Sequence, residues 1–217
     1  MPCATPGTAS TRGATRNDEV KAAARELLER ALELARGGVH VYEAALGCAL
    51  REALEEQWQE DLVQARQHER ALRAAARRLG VDPEEEKCLR LVVRRQAAAV
   101  VQTLEEAREQ APDAEAQRLA AECVFEWESR TRFAWDLLFD LAREAQGDEG
   151  EALREACAEG PDQQDERVHR ARAWTHALWM AALGRRVAVP ARRARPRRGR
   201  PAAGPASEII RAEAKRP

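Results

Sequence analysis

Apolar residues recur at helical spacing along most of the chain. Val20, Ala24, Leu27, Ala31, Leu34, Tyr42 and Leu46 form one stripe of a long first helix that starts near Asn17 or Asp18, with Gly37-Gly38 as a point where it can bend. A break near Gly47 leads to a second helix, about Leu50 to Leu79, with Leu50, Leu54, Trp58, Ala65, Leu72 and Leu79 on one face; Gly80 and Pro83 end it. Leu89, Val93, Ala97, Val100 and Leu104 mark a third helix, which begins after Glu84 and stops before Ala111-Pro112. A fourth spans about Glu115 to Gln146, with Gly147 and Gly150 as its terminator. A short segment, Glu151 to Ala158, precedes Gly160-Pro161, and a fifth helix follows to about Leu183. Amphipathic helices joined by short loops bury their stripes against one another, so the pattern predicts an all-α bundle.

The fourth helix carries two apolar faces. Leu119, Cys123, Trp127, Leu137 and Leu141 lie on one, and Val124, Phe125, Trp135 and Phe139 on another. A helix buried on two sides is either central or lies at a subunit contact, so a homodimer through this helix is one expectation.

Composition supports helix. Of 217 residues only 4% are aromatic, against 44% hydrophobic and 34% charged, and the abundance of Ala, Leu, Glu and Arg excludes a sheet protein. No apolar run reaches the roughly 20 residues of a membrane span, and the opening MPCATPGTASTRG lacks the apolar block of a signal peptide, so no membrane partner and a cytoplasmic location are expected. The five cysteines, Cys3, Cys48, Cys88, Cys123 and Cys157, have no CxxC spacing and are expected as reduced thiols. The net charge of −1 hides a division: residues 185–217 carry eleven Arg or Lys against two Glu, net +9, which leaves net −10 on residues 1–184. Three regions follow: a disordered segment 1–17, a helical body 18–184 and a basic, disordered tail 185–217.

Candidate chemistry sits inside the helical stripes. Asp61 and His68 lie seven residues apart within the apolar stripe of the second helix, where unpaired polar groups are costly, so both need partners in the interior. Glu166 and His169, at i and i+3 on the last helix, can present a carboxylate and an imidazole on one face, with His176 a heptad further on. Glu126 lies near the edge of a stripe in the fourth helix, with Arg130 nearer its centre as a partner for Asp61. Glu26, Glu29, Glu33 and Glu43 fall opposite the first helix's stripe and are expected to face solvent.

The segments RALRAAARRLGVDP, EEEKCLRLVV and LAAECVFEWE, within residues 20–183, resemble the ferritin-like superfamily, closest to the bacterial stress-associated small ferritin-like proteins. The resemblance implies a ferritin-like four-helix bundle with an additional helix. It also implies a carboxylate-bridged two-iron centre, built from a Glu on each of two helices and Glu-x-x-His on the other two. Carried onto this chain, the inward set is Asp61, His68, Glu126, Glu166 and His169, with nothing from the first helix and Ala65 three positions before His68. Two readings stand. Either iron or another divalent metal is held between the helices, supporting iron oxidation or peroxide chemistry in a stress-related protein, or no cofactor binds and the polar groups form an ion-pair cluster in a non-enzymatic interaction protein.

The tail holds RPRRGRP, and its Arg195, Arg197, Arg198, Gly199, Arg200 and Pro201 resemble the AT-hook. Such a segment lies extended in the minor groove of A·T-rich DNA, where glycine permits close approach and arginines meet an enhanced negative potential. DNA is therefore an expected partner, with a solvated arm for other polyanions as the alternative. No glycine-rich phosphate loop or nucleophile elbow is present, so nucleotide enzymes and hydrolases lack support.

Overall fold

Six helices carry the chain: α1 (Arg16–Leu46), α2 (Glu52–Arg78), α3 (Cys88–Gln110), α4 (Asp113–Glu144), α5 (Gly147–Ala156) and α6 (Gly160–Ala182). The structure, a computed structural model, describes residues 16–158 and 160–185, with side chains from Lys21 onward apart from Pro161. The described residues contain no strand, and none of their helices is long and apolar enough to cross a membrane. Residues 1–15 and 186–217, which hold Cys3 and the Arg195 to Pro201 motif, lie outside the described residues.

The first helix is the hub. It packs on α2, α3 and α4 at once, so from Leu28 onward it is buried around most of its circumference, at Leu28, Leu32, Leu34, Val41, Tyr42 and Ala45 among others. The glycine pair does not interrupt it. A Cβ at Gly37 would lie 2.3 Å from Cζ2 of Trp127, and the Trp127 indole N–H donates to the Leu34 carbonyl at 3.0 Å. The two glycines therefore form a slot for Trp127 rather than a bend.

Side-chain pairings fix the helix directions. Asp61 meets Arg170 while His68 meets Gln163, so α2 and α6 are antiparallel. Gln164 meets Glu128 and Thr175 meets the Ala121 carbonyl, so α4 and α6 are antiparallel too. With α1 and α2 joined by a tight turn, α1 and α6 run one way and α2 and α4 the other. The connection from α2 to α4 is the long one, and it contains α3, which lies beside α1.

The element ends differ from the sequence pattern in ways that have local causes. Gly80, at φ 67°, closes α2 with the Val81 N–H on the Ala76 carbonyl at 2.9 Å, and Val81 is buried beneath it. Gly184, at φ 69°, closes α6 the same way, with the Arg185 N–H on the Met180 carbonyl at 2.8 Å. Gly147 and Gly150, expected as terminators, instead belong to a short helix, α5. Gly160-Pro161 opens α6, a position where the missing proline N–H is not needed.

The double burial of α4 is accounted for within one chain. Its stripe Ala120, Val124, Trp127, Thr131, Trp135 and Leu138 faces inward, and the helix packs on α1, α3, α5 and α6. Leu137 and Phe139, expected on buried faces, are exposed.

Glu29 and Glu33 also depart from expectation: they are 3% and 1% exposed rather than solvated, while Glu26 and Glu43 do face solvent. The cations that pair with them come from the α2–α3 loop, from α3 and, in Arg36, from α1 itself. Lys87 bonds Glu29 at 2.5 Å; Glu33 accepts from Arg90 at 2.7 and 3.0 Å, from Arg94 at 2.8 Å and from Arg36 at 2.9 Å. Arg90, wholly buried, also donates to the carbonyls of Asp82, Pro83 and Glu85, and so ties the loop to α1.

Candidate functional site

The shared interior of α1, α2, α4 and α6 contains polar groups where a bundle of this size has apolar ones. Asp61, His68, Glu128, Gln164 and Arg167 are all at most 6% exposed. Burying such groups is costly unless each finds a partner, so their arrangement is specified.

Arg167 is the centre. Its Nε lies 3.2 Å from Glu128 Oε2, one terminal nitrogen donates to His68 Nδ1 at 3.3 Å and to Gln164 Oε1, and the other reaches the Asp61 carbonyl at 3.4 Å. Gln164 in turn donates to the Glu128 carbonyl at 3.1 Å and to its carboxylate. A guanidinium can only donate, so His68 Nδ1 accepts and His68 Nε2 carries the hydrogen that goes to Gln163 Oε1, 2.9 Å away. Trp135 packs edge-on against the imidazole at 5.1 Å between centroids. Burial, and then the Arg167 charge, push the His68 pKa down to about 3, so the ring is neutral.

The neighbouring carboxylate behaves oppositely. Burial pushes Asp61 up to about 6, against the pull of Arg170, bonded to it at 2.5 Å, and of Arg167. Tyr42, fully buried, lies close enough to Glu128 for burial and that charge to raise its pKa, yet its hydroxyl makes no hydrogen bond of good geometry. Beside the cluster, between Leu34, Gly38, Ala65 and Thr131, a cavity of about 10 Å³ remains, enough for about one water by the usual threshold of roughly 10–15 Å³.

Asp61 and His68 thus point inward, as their place in the α2 stripe requires. Glu126, Glu166 and His169 do not join them: all three are exposed, with Glu166 bonded to Arg170 at 3.2 Å. Arg130, expected to pair with Asp61, instead bonds Gln96 and lies over the Trp127 ring at 5.2 Å. Both errors are of helix phase, by two residues. The inward faces read Val124, Glu128, Thr131, Trp135 on α4 and Gln164, Arg167, Ala171, Trp174, Leu178 on α6. Trp174 and Leu178 carry that phase in the sequence; extending their stripe backward by heptad steps lands on Arg167 and Gln164.

A two-metal centre of the expected kind asks for a carboxylate from each of two helices and Glu-x-x-His from the other two. In this interior α1 supplies Leu34, Ala35 and Gly38, α2 supplies Ala65 and His68, α4 supplies Glu128, and α6 supplies Gln164 and Arg167. Asp61 on α2 is held by Arg170, and the resulting set of two carboxylates, one imidazole and a guanidinium does not fit a pair of metal ions. Among the described residues no three His, Cys, Asp or Glu side chains gather to hold a metal.

Other features are chemically quiet. Burial raises the thiols of Cys123 and Cys157 to about 11, so neither is a nucleophile at neutral pH. A concavity of about 630 Å³ is an open groove between α1 and α3 floored by Gly37, Ala44, Ala97 and Val101. Its buried carboxylate, Glu33, is already committed to three arginines. No protein-family model, curated protein or solved structure matches the chain.

Proposed function

We propose that the chain is a ferritin-like helical bundle without a metal centre, a non-enzymatic interaction protein whose basic segment 185–217 holds a polyanion, nucleic acid first. Two features support the ferritin-like part: four helices around a polar interior, and a single long connection, between α2 and α4, of the kind that distinguishes such bundles from simple up-and-down ones. One observation carries the metal-free part. The interior position that a metal would need is filled by the Arg167 guanidinium, 2% exposed and paired with Glu128. Iron oxidation or peroxide chemistry needs a cation with an open coordination position, and this interior supplies neither the donors nor the room.

The polyanion part rests on charge. A segment of net +9 follows a body of net −10, so contact with phosphates is expected to depend strongly on salt. The test uses the full chain purified without a metal-affinity step. Protein carrying Arg197→Ala, Arg198→Ala and Arg200→Ala is compared with the unaltered chain on A·T-rich duplex across a salt series. Loss of retention at low salt, with a salt slope shallower by roughly 3, supports the reading; equal retention removes it. Iron, manganese or zinc near stoichiometry in the unaltered protein would overturn the metal-free part.

A further inference from the structure

The helices α3 and α6 finish at the end of the bundle where α4 begins, and a concavity of about 360 Å³ lies between them there. Ala116 and Leu119 floor it, Trp179 walls it, and Glu115 and Glu122 stand on its rim. Trp179 is held from two sides. Its indole N–H donates to the Glu122 carboxylate and the Arg118 guanidinium lies over its ring at 5.6 Å, so the ring stands fixed although it is 42% exposed. Leu183, one turn further along α6, is 63% exposed. The other four tryptophans, Trp58, Trp127, Trp135 and Trp174, are all buried. One aromatic left uncovered beside an exposed leucine, on the wall of a formed concavity, is apolar surface that lacks its cover.

We infer that this concavity is a docking site for the chain's own segment 186–193, laid extended over Ala116, Leu119 and Trp179. The segment reads RVAVPARR and follows α6 directly. Gly184, at φ 69°, turns the chain off the helix axis, with the Arg185 N–H on the Met180 carbonyl. Six helical residues separate Trp179 from Arg185, a rise of about 9 Å. Four extended residues span about 13 Å, so the valines come level with the Trp179 ring. An extended chain turns alternate side chains to one side, which sets Val187 and Val189 together against Leu119 and Trp179. Charge fits the same path. Along it α4 presents Glu115, Glu122 and the exposed Glu126, while the segment carries Arg186 before its valines and Arg192-Arg193 after them. Residues 1–15 suit the site less: they precede α1 at the opposite end of the bundle and carry a single arginine, Arg12. The inference is independent of what the basic segment binds.

Because the other tryptophans are buried, acrylamide quenching of the full-length protein reads Trp179. The unaltered chain is compared with a Val187→Ser, Val189→Ser variant and with an Arg192→Glu, Arg193→Glu variant, after circular dichroism has shown equal helix content in all three. Docking predicts that Trp179 is shielded in the unaltered chain. Its quenching constant should rise about twofold or more in the valine variant, as when a state populated most of the time is lost. The arginine variant should show a smaller rise, and emission should move to the red in both. Equal quenching of the unaltered chain and the valine variant overturns the inference. An effect confined to the arginine variant overturns it too, since charge would then attract the segment without the concavity receiving it. Shielding that fades on dilution assigns the cover to a second copy of the chain and overturns docking within one chain.

Discussion

Two buried carboxylates, Glu33 beneath α3 and Asp61 against α6, carry opposite fates. Burial alone would raise Glu33's pKa, but hydrogen bonds from Arg94 and Arg90 outweigh it and hold the group below its ordinary value. Burial wins at Asp61, where one direct arginine bond and the more distant field of Arg167 leave the pKa at about 6. The difference is donor supply. Glu33 receives three guanidinium groups, and those of Arg36 and Arg90 also donate to carbonyls of the α2–α3 loop. The Asp61 neighbourhood is assembled partly from neutral groups, with the Tyr42 hydroxyl lacking a hydrogen bond of good geometry and a small cavity alongside. Donation from Arg36 and Arg90 to the carbonyls of Asp82, Pro83 and Glu85 marks the first cluster as a staple for the α2–α3 loop. The second gives its carboxylate one direct arginine where the first gives three.

The largest effect is expected at the staple. Arg90→Ala removes donors from Glu33 and from three backbone carbonyls at once. Breaking a buried pair from one side strands the other charge, and a loss of about 4 kcal/mol in urea unfolding is expected. A loss below about 1 kcal/mol would show that Arg94 and Arg36 suffice and that the loop is not tied by this residue.

At the second cluster, Arg167→Met strands Glu128 and should cost about 3 kcal/mol, while adding Glu128→Gln should return at least about 1 kcal/mol of it. Additive losses in that double-mutant cycle would mean that the two side chains do not share one charge balance, and the contrast between the clusters would lose its basis.

Titration sharpens the comparison further. Asp61, raised to about 6 from 3.8, binds its proton more tightly in the folded state, so its contribution to stability is full below about pH 4 and is lost as pH rises through 6. His68, lowered to about 3 from 6.5, acts in the opposite sense: the unfolded chain takes up a proton that the folded one refuses, so stability is lost as pH falls from about 6.5 towards 3. Between pH 4 and 6 the two slopes oppose each other. Asp61→Asn should therefore expose the His68 slope, making stability rise with pH more steeply than in the unaltered chain, by up to about 1.4 kcal/mol per pH unit. His68→Gln should tilt it the other way. Parallel stability–pH curves for all three proteins would contradict both shifts.

Much of the helical order was readable because stripes such as Leu54, Trp58, Leu72 or Val93, Ala97, Leu104 repeat at 3.6 residues and are bounded by Gly80, Pro83 and Pro112. The polar interior was readable only on α2, where Asp61 and His68 interrupt an unambiguous apolar stripe. On α1 the stripe failed as a guide because the helix has three neighbours: a hub buried around most of its circumference leaves only a narrow solvent face, which takes Glu26, His40 and Glu43 but not Glu29 and Glu33. On α6 the chemistry misled. Glu166 and His169 have the residue types that bind metals, and Gln164 and Arg167 do not, so a search for ligands selects the wrong side of a helix whose phase Trp174 and Leu178 had already set.

That last misreading yields the smallest expected effect. Glu166 and His169 are exposed, and Glu166 shares Arg170 with the better-placed Asp61. An exposed i, i+4 pair contributes only about 0.3–0.5 kcal/mol. Glu166→Gln with His169→Ala should thus change stability by less than about 0.5 kcal/mol, a value typical of surface substitutions. Their partners two positions back on the inward face behave differently: Gln164→Ala removes the amide that bridges Glu128 and Arg167, and about 2 kcal/mol should go with it. A loss above 1 kcal/mol from the outer pair, with little from Gln164→Ala, would mean that α6 is rotated by about half a turn from the orientation described and that His169, not Arg167, faces the core.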